Sequence, residues 1–314
     1  MNQKKIAFVF PGQGSQSVGM LGDFETHPSV KDTLCQASEV LSLDIPTLIE
    51  QGPAELLNTT INTQPVMLAC GYAFYQAWLS QGGAAPALMA GHSLGEYTAA
   101  TVATFFSFEE ALKAVRFRAQ VMQAEIPVGV GGMAAVLGLN TQVVQDVCSK
   151  ISTETAVVEA VNLNTPEQTV IAGHLSAIEQ ASAALKAAGA KRVVSLPVSA
   201  PFHSSLLKNA AHQLGEFLNT LSIKTPTIPF VNNVDVQIET DTLKIRDALV
   251  RQACSPVRWI ETVQFFERYG ITDVVECGPG KVLSGLVSKN SAQIRVHSLS
   301  TRQHIDDLLL LLAN

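Results

Sequence analysis

Short apolar runs of strand length recur along this chain, and several break into Gly, Pro or Asn before a stretch of helix formers. Ile6 to Phe10 ends in "PGQGSQ", and Leu88-Met89-Ala90, preceded by Pro86, ends at Gly91. "PFVNNV" (Pro229 to Val234) and "TDVVECGPG" (Thr272 to Gly280) have the same character. Between them lie helical stretches. One opens at Ser107 with Glu110 three residues on, the spacing of a capping box, and runs over 108–125. Strand and helix in alternation give an α/β chain with a largely parallel sheet.

The middle of the chain reads differently. Met133 to Leu137 is a strand candidate, and Asn140 can cap a helix over Gln142 to Ile151. Val157 to Leu163 and Gln168 to Ala172 flank the turn "NTPE"; Ser176 to Ala188 is a helix stopped by Gly189, and Arg192 to Leu196 is a strand. The order β-α-β-β-α-β is that of a ferredoxin-like split unit. Gly- and Pro-rich "IPVGVGG" and "LPVSAP" bound the block. It reads as a small domain over 129–197, inserted into a larger α/β domain made of 1–128 and 198–314.

Composition narrows the function classes. With 314 residues, 47% hydrophobic and 15% charged, and a mean hydropathy of +0.22, the chain can bury a sizeable core. A formal charge of −6 argues against a nucleic-acid binder, while leaving room for a local basic patch. No run approaches the roughly 20 apolar residues that span a bilayer. The apolar run after Lys4-Lys5 is too short for a secretion signal, so a cytoplasmic location is expected. The five cysteines, Cys35, Cys70, Cys148, Cys254 and Cys277, are scattered without metal-ligand spacing. They read as buried free thiols, with no metal expected.

Gly91-His92-Ser93-Leu94-Gly95 is a G-x-S-x-G set where a strand gives way to a helix. In such a motif the serine sits on a sharp turn, and the next N–H, here that of Leu94, points at a developing oxyanion. A serine nucleophile needs a base. His92 adjoins it, but neighbours on a sharp turn point apart. His203, in "SAPFHSS", is either that base or an exposed loop histidine. An α/β-hydrolase would place an acid and then a late histidine after the serine, and no acid here fits. "FPGQGSQSVGM" fails both as a dinucleotide and as a phosphate loop. Its strand-end turn can instead give a second oxyanion donor. On the 108–125 helix, Arg116 and Arg118 flank opposite edges of the stripe Leu112, Val115, Ala119 and Met122, and periodicity leaves open which, if either, reaches a site.

Taken together these motifs resemble the malonyl-CoA:acyl carrier protein transacylases, the acyltransferases of type II fatty acid synthesis. The residues that carry the resemblance run in order from Phe8 to Leu286: "FVFPGQGSQ", "NTQP" (from Asn62), "GHSLGEY", "RAQVMQ" (from Arg118), "VNLNTPEQTVIAG" (from Val161), "LPVSAPFHS", "QACSPVRW" (from Gln252) and "ECGPGKVLSGL". The resemblance implies an α/β-hydrolase-like core with a ferredoxin-like insert. It implies Ser93 as nucleophile, His203 as base, and Gln252 orienting His203 through its main-chain carbonyl. The N–H groups of Gln13 and Leu94 would form the oxyanion hole. Arg118 would pair with the malonyl carboxylate, a match for its forked, permanent charge. Gln64 and Asn162 would line the site, and Phe202 before His203 follows the malonyl-selecting pattern. Ala119 departs from the glycine common beside the arginine. The implied partners are malonyl-CoA and acyl carrier protein, with no cofactor and a monomeric enzyme. Lys191, Arg192 and Lys208 are candidates for docking an acidic carrier. The rival readings are a trans-acting acyltransferase serving a polyketide synthase, a thioesterase, and a non-catalytic carrier-binding module.

Overall fold

The computed structural model describes residues 4–198 and 200–313. One sheet is wholly parallel, in the order β7-β2-β1-β8-β9. Its strands are β1 (Ile6–Phe10), β2 (Leu88–Gly91), β7 (Phe230–Val231), β8 (Asp273–Cys277) and β9 (Arg295–Leu299). β1 lies at the centre, with Ala7 opposite Leu88 on one side and Val274 on the other. All five of its residues are buried, as a strand covered on both faces requires. Phe8 and Phe10 join Phe74 and Trp78 of the helix Thr60–Ser80 on one side of the sheet. Ala7 and Val9 join Trp259 and Phe266 of the helix Trp259–Tyr269 on the other. Period-2 alternation thus builds two apolar layers around one strand.

The second sheet is antiparallel, in the order β4-β5-β3-β6, from β3 (Gly131–Leu137), β4 (Val158–Thr165), β5 (Gln168–His174) and β6 (Arg192–Ser195). That order is the ferredoxin-like one. Helices Thr141–Ile151 and Leu175–Ala187 supply Val144, Cys148, Ile178 and Leu185 to a separate core on one face. Met133, Val161, Val170 and Ala172, on the other face, belong to the main core. The mixed α/β architecture is therefore a parallel sheet with a ferredoxin-like insert.

Several boundaries differ from expectation. β4 extends through Thr165, and the turn to β5 contracts to Pro166-Glu167 because Thr165 pairs with Gln168. Only two residues of "PFVNNV" are strand: Asn232 Oδ1 accepts from Asp235 N (2.7 Å) and turns the chain away. β8 stops at Cys277, where Gly278 takes φ 147°. Strand β9 was not anticipated. Of the cysteines, Cys35 is exposed and Cys254 half-buried, rather than buried.

Candidate active site

Three neighbouring strands deliver the site from their carboxyl ends: β1 into Gln13, β2 into Ser93 and β7 into Asn233. Open parallel sheets gather ligand sites at this edge. Ser93 holds φ 55° and ψ −113°, unusual for a residue with a side chain. The flanking glycines make room for that turn. A Cβ on Gly91 would lie 1.8 Å from the Gly95 carbonyl carbon, and one on Gly95 would lie 1.9 Å from the Phe10 carbonyl oxygen. Asn233 braces the turn from the side: its Oδ1 accepts from Ser93 N (2.8 Å) and its Nδ2 donates to Gly91 O (2.7 Å).

Ser93 Oγ lies 2.6 Å from Nε2 of His203. The histidine is buried, not an exposed loop residue, and has a positive φ of its own, 66°. Its Nδ1 lies 2.7 Å from the main-chain oxygen of Gln252. A carbonyl can only accept, so Nδ1 carries the proton and the Nε2 lone pair faces the serine. Burial, with Arg118 adding to it, pushes the His203 pKa down to about 3, so the ring is neutral at ordinary pH. His92 turns away from this pair, its Nε2 2.8 Å from Asn164 Oδ1 and its ring 5.4 Å from that of Trp259.

The two arginines separate for a physical reason. Pro65, inside the Thr60–Ser80 helix, has no N–H to give the Ile61 carbonyl. Arg116 Nη1 fills that gap, donating to Ile61 O (3.1 Å) and to Asn62 Oδ1 (3.0 Å). Arg118 instead points inward and is 1% exposed. Its Nη1 donates to Gln64 Oε1 (2.7 Å), and its Nη2 donates to Gln252 Oε1 (2.9 Å) and reaches Ser93 Oγ at 3.3 Å. Both strong acceptors are neutral amides. Among the described residues no carboxylate lies within ion-pair distance of this guanidinium, although it is wholly buried.

Gln13, Gln64, Ser93, Leu94, Arg118, Asn162 and His203 line one cleft, closed on its apolar side by Met133, Leu196, Val198 and Phe202. Its volume is about 110 Å³, well below the roughly 300–1,000 Å³ of sites for drug-sized ligands, and suits a small acyl group. The Gly12-Gln13 backbone runs beside the serine turn, where a Cβ on Gly12 would come 2.6 Å from His92 O and 3.7 Å from Leu94 N. Asn162 Oδ1 is buried and has no protein partner. Among the described residues no group of three or more His, Cys, Asp or Glu side chains could hold a metal ion.

Two residues in this network escaped the sequence reading. Glu96 is wholly buried, and its Oε2 accepts from Gln252 Nε2 (2.8 Å) and Asn233 N (3.0 Å). Burial raises its pKa to about 7. The available signal was an acid inside "LGEYTAATV", a helix buried at all nine positions. Asn233 had only the strand-ending Asn pair to mark it.

Residues 7–298 match the acyl transferase domain family. A malonyl CoA-acyl carrier protein transacylase of Salmonella typhimurium is 50% identical over 286 residues, 91% of this chain and 92% of its own. One from Bacillus subtilis is 40% identical over 303 residues, 96% of this chain and 95% of its own. The crystal structure of an acyl-carrier-protein S-malonyltransferase from Burkholderia pseudomallei superposes with a TM-score of 0.95 at 55% identity, covering 98% of this chain and 99% of its own. A malonyl-transacylase in complex with its type II PKS acyl-carrier protein gives 0.96 at 43% identity, covering 98% and 100%. With nearly its whole length matched, this chain belongs to the acyl transferase domain family.

Proposed function

We propose that this protein is a malonyl-CoA:acyl carrier protein transacylase, which moves the malonyl group from coenzyme A to the phosphopantetheine thiol of the carrier and so supplies fatty acid elongation. The observation that carries the substrate choice is Arg118: a buried guanidinium, 3.3 Å from the serine oxygen and without a carboxylate of its own. Such a charge is costly to bury unpaired. A malonyl carboxylate is a partner of the right sign and shape.

The reaction has two matching halves. His203 Nε2 takes the Ser93 proton as Oγ attacks the thioester carbon. The N–H groups of Gln13 and Leu94 hold the charge on the carbonyl oxygen. The carbon–sulfur bond breaks, the thiolate of coenzyme A takes the proton from His203, and a malonyl-serine ester remains. The carrier thiol then gives its proton to His203 and attacks that ester, and Ser93 leaves with the proton. Gln252 orients the base with a neutral carbonyl where a hydrolase would use a carboxylate. That support suits exchange between a thioester, whose thiolate leaves readily, and a serine ester, whose oxygen leaves with the proton that His203 returns. The scheme uses no metal or redox cofactor.

Gln64 supports Arg118, Asn162 offers a free buried acceptor in the cleft, and Phe202 closes the wall beside His203. Lys191, Arg192 and Lys208 are exposed, as carrier docking requires. We place the enzyme in the cytoplasm as a monomer with no nucleic-acid role, consistent with its charge of −6, and among the described residues no helix is long and apolar enough to cross a membrane. The small domain is assigned to 129–197 and the large one to 1–128 with 198–314, since the two sheets share no strand.

The likeness to a transacylase that serves a type II PKS carrier makes a polyketide carrier the second reading. Intact-protein mass spectrometry after brief incubation with malonyl-CoA tests the scheme. A malonyl adduct should form on the wild type and not on Ser93→Ala, and should be discharged by holo acyl carrier protein far faster than by water. Discharge by water at the same rate would make the protein a thioesterase. Faster discharge by a polyketide carrier than by a fatty acid carrier would favour the second reading.

A further inference from the structure

Three fully buried carboxylates stand out among the described residues, and two have evident structural tasks. Asp273 pairs with Arg295 and His297, and Glu276 accepts from Leu283 N and Ser284 N at the start of the helix Val282–Asn290. Glu96 alone touches the catalytic cluster, through the side chain of Gln252.

That side chain is an amide with two unlike ends. Its Nε2 donates to Glu96 Oε2 (2.8 Å) and to the Ser93 carbonyl (2.8 Å), and its Oε1 accepts from Arg118 Nη2 (2.9 Å). Turned over, it would set an oxygen against two acceptors and an NH2 group against the guanidinium. The Ser93 carbonyl and the Arg118 guanidinium favour the same orientation, and Glu96 is the further side chain that holds the amide in it. A carboxylate oxygen accepts and does not donate. Here Oε2 accepts from both Gln252 Nε2 and Asn233 N, and in its ionised form the group also places negative charge one amide away from Arg118. The guanidinium is steadied without the direct ion pair that would compete with an incoming carboxylate.

We infer that Glu96 is a positioning residue for acyl-group selection: by fixing the Gln252 amide, it holds the Arg118 guanidinium aimed at the position of the substrate carboxylate beside Ser93. The inference rests on the malonyl-transfer reading above. Its mark is a loss that depends on the donor. Glu96→Gln is nearly isosteric, but its amide can donate and so permits Gln252 to turn over.

The experiment compares steady-state transfer from malonyl-CoA and acetyl-CoA to holo acyl carrier protein by the wild type and Glu96→Gln. Malonyl kcat/KM should fall about 10- to 100-fold, the scale of one charge-linked hydrogen bond, and mostly through KM. Acetyl kcat/KM, with no carboxylate to place, should change by less than about threefold. An equal fall with both donors would mean that Glu96 only braces the Ser93 turn through Asn233, and would overturn the inference. So would no change with either donor.

Neutron diffraction from deuterated wild-type crystals gives a test that needs no variant. Deuterium on the Gln252 atom facing Glu96 is expected, and an oxygen there would refute the orientation argument. A wild type that forms no malonyl adduct would sink the functional reading and this inference with it. A wild type that does, beside an unaltered Glu96→Gln, would sink this inference alone.

Discussion

If Arg118 pairs with the malonyl carboxylate as proposed, replacing it by alanine should separate substrate recognition from the ester chemistry that Ser93 and His203 carry. The guanidinium is 1% exposed, so a malonyl carboxylate entering the alanine variant would be held in a cleft stripped of its counter-charge. Leaving one member of a buried ion pair alone costs about 3–5 kcal/mol. At 1.36 kcal/mol per decade, and discounted because the cleft opens toward solvent, that is about a 10²- to 10³-fold loss in malonyl kcat/KM. Acetyl transfer has no carboxylate to strand; it loses the 3.3 Å contact between Nη2 and Ser93 Oγ and the Arg118 hydrogen bonds to Gln64 and Gln252. It also gains something, since the Arg118 charge is one of the causes that lower His203. Acetyl kcat/KM should therefore stay within about tenfold of the wild type. On the proposed reading, the same coupling would let a malonyl carboxylate paired with Arg118 offset its charge and strengthen the base as the substrate arrives. The assay is initial-rate transfer from both donors to holo carrier, with burst labelling to count active sites. A parallel fall with both donors would refute carboxylate pairing and make Arg118 a structural support for Gln64 and Gln252.

With the His203 pKa at about 3, acetyl kcat/KM, which needs no carboxylate to be placed, should stay level from alkaline pH down to about pH 5, and a break near the ordinary histidine value of 6.5 would contradict a buried neutral base. The stability sign follows from the same shift. Between about 6.5 and 3 the unfolded ring binds a proton that the folded one does not, so His203 makes folding less favourable as pH falls through that window. Glu96, raised to about 7, acts in the opposite sense: its contribution is present below the ordinary 4.5 and lost as pH rises through 7. Denaturant unfolding of the wild type against His203→Gln isolates the first effect, and a pH-independent difference would count against it. Gly95→Ala should abolish malonyl-serine formation and lower stability by about 1–3 kcal/mol, since its Cβ would meet Phe10 O at 1.9 Å; an active, stable variant would show that the turn can relax. Carrier affinity, by titration, should weaken as salt rises if Lys191, Arg192 and Lys208 supply the docking charge, and affinity indifferent to salt would remove them from the interface.

What the sequence disclosed follows from how local each requirement is. The Ser93 turn was legible because its steric demands fall on residues two positions away, Gly91 and Gly95. The small domain was legible because alternation, a cap at Asn140 and a stop at Gly189 are all local signals. Strand β9 was not. It is an edge strand whose Arg295 and His297 reach sideways to Asp273, so its "RVHSL" looks too polar for a strand. Arg116 and Arg118 could not be told apart on their helix, because the difference lies in another helix, where Pro65 leaves the Ile61 carbonyl open. His203 and Gln252 stand 110 and 159 residues from Ser93, and Asn233 stands 140 away. No periodicity links positions so far apart: the loop "SAPFHSS" offered His203 only as one of two alternatives, which the resemblance decided, and the resemblance supplied Gln252 but not Asn233. Local chemistry dictates which backbone conformations and side-chain types are present. The tertiary fold dictates which donor meets which acceptor. Glu96 shows the consequence: it lies within the motif "GHSLGEY", yet it meets the partner that gives it the inferred task only when Gln252 arrives from the far end of the chain.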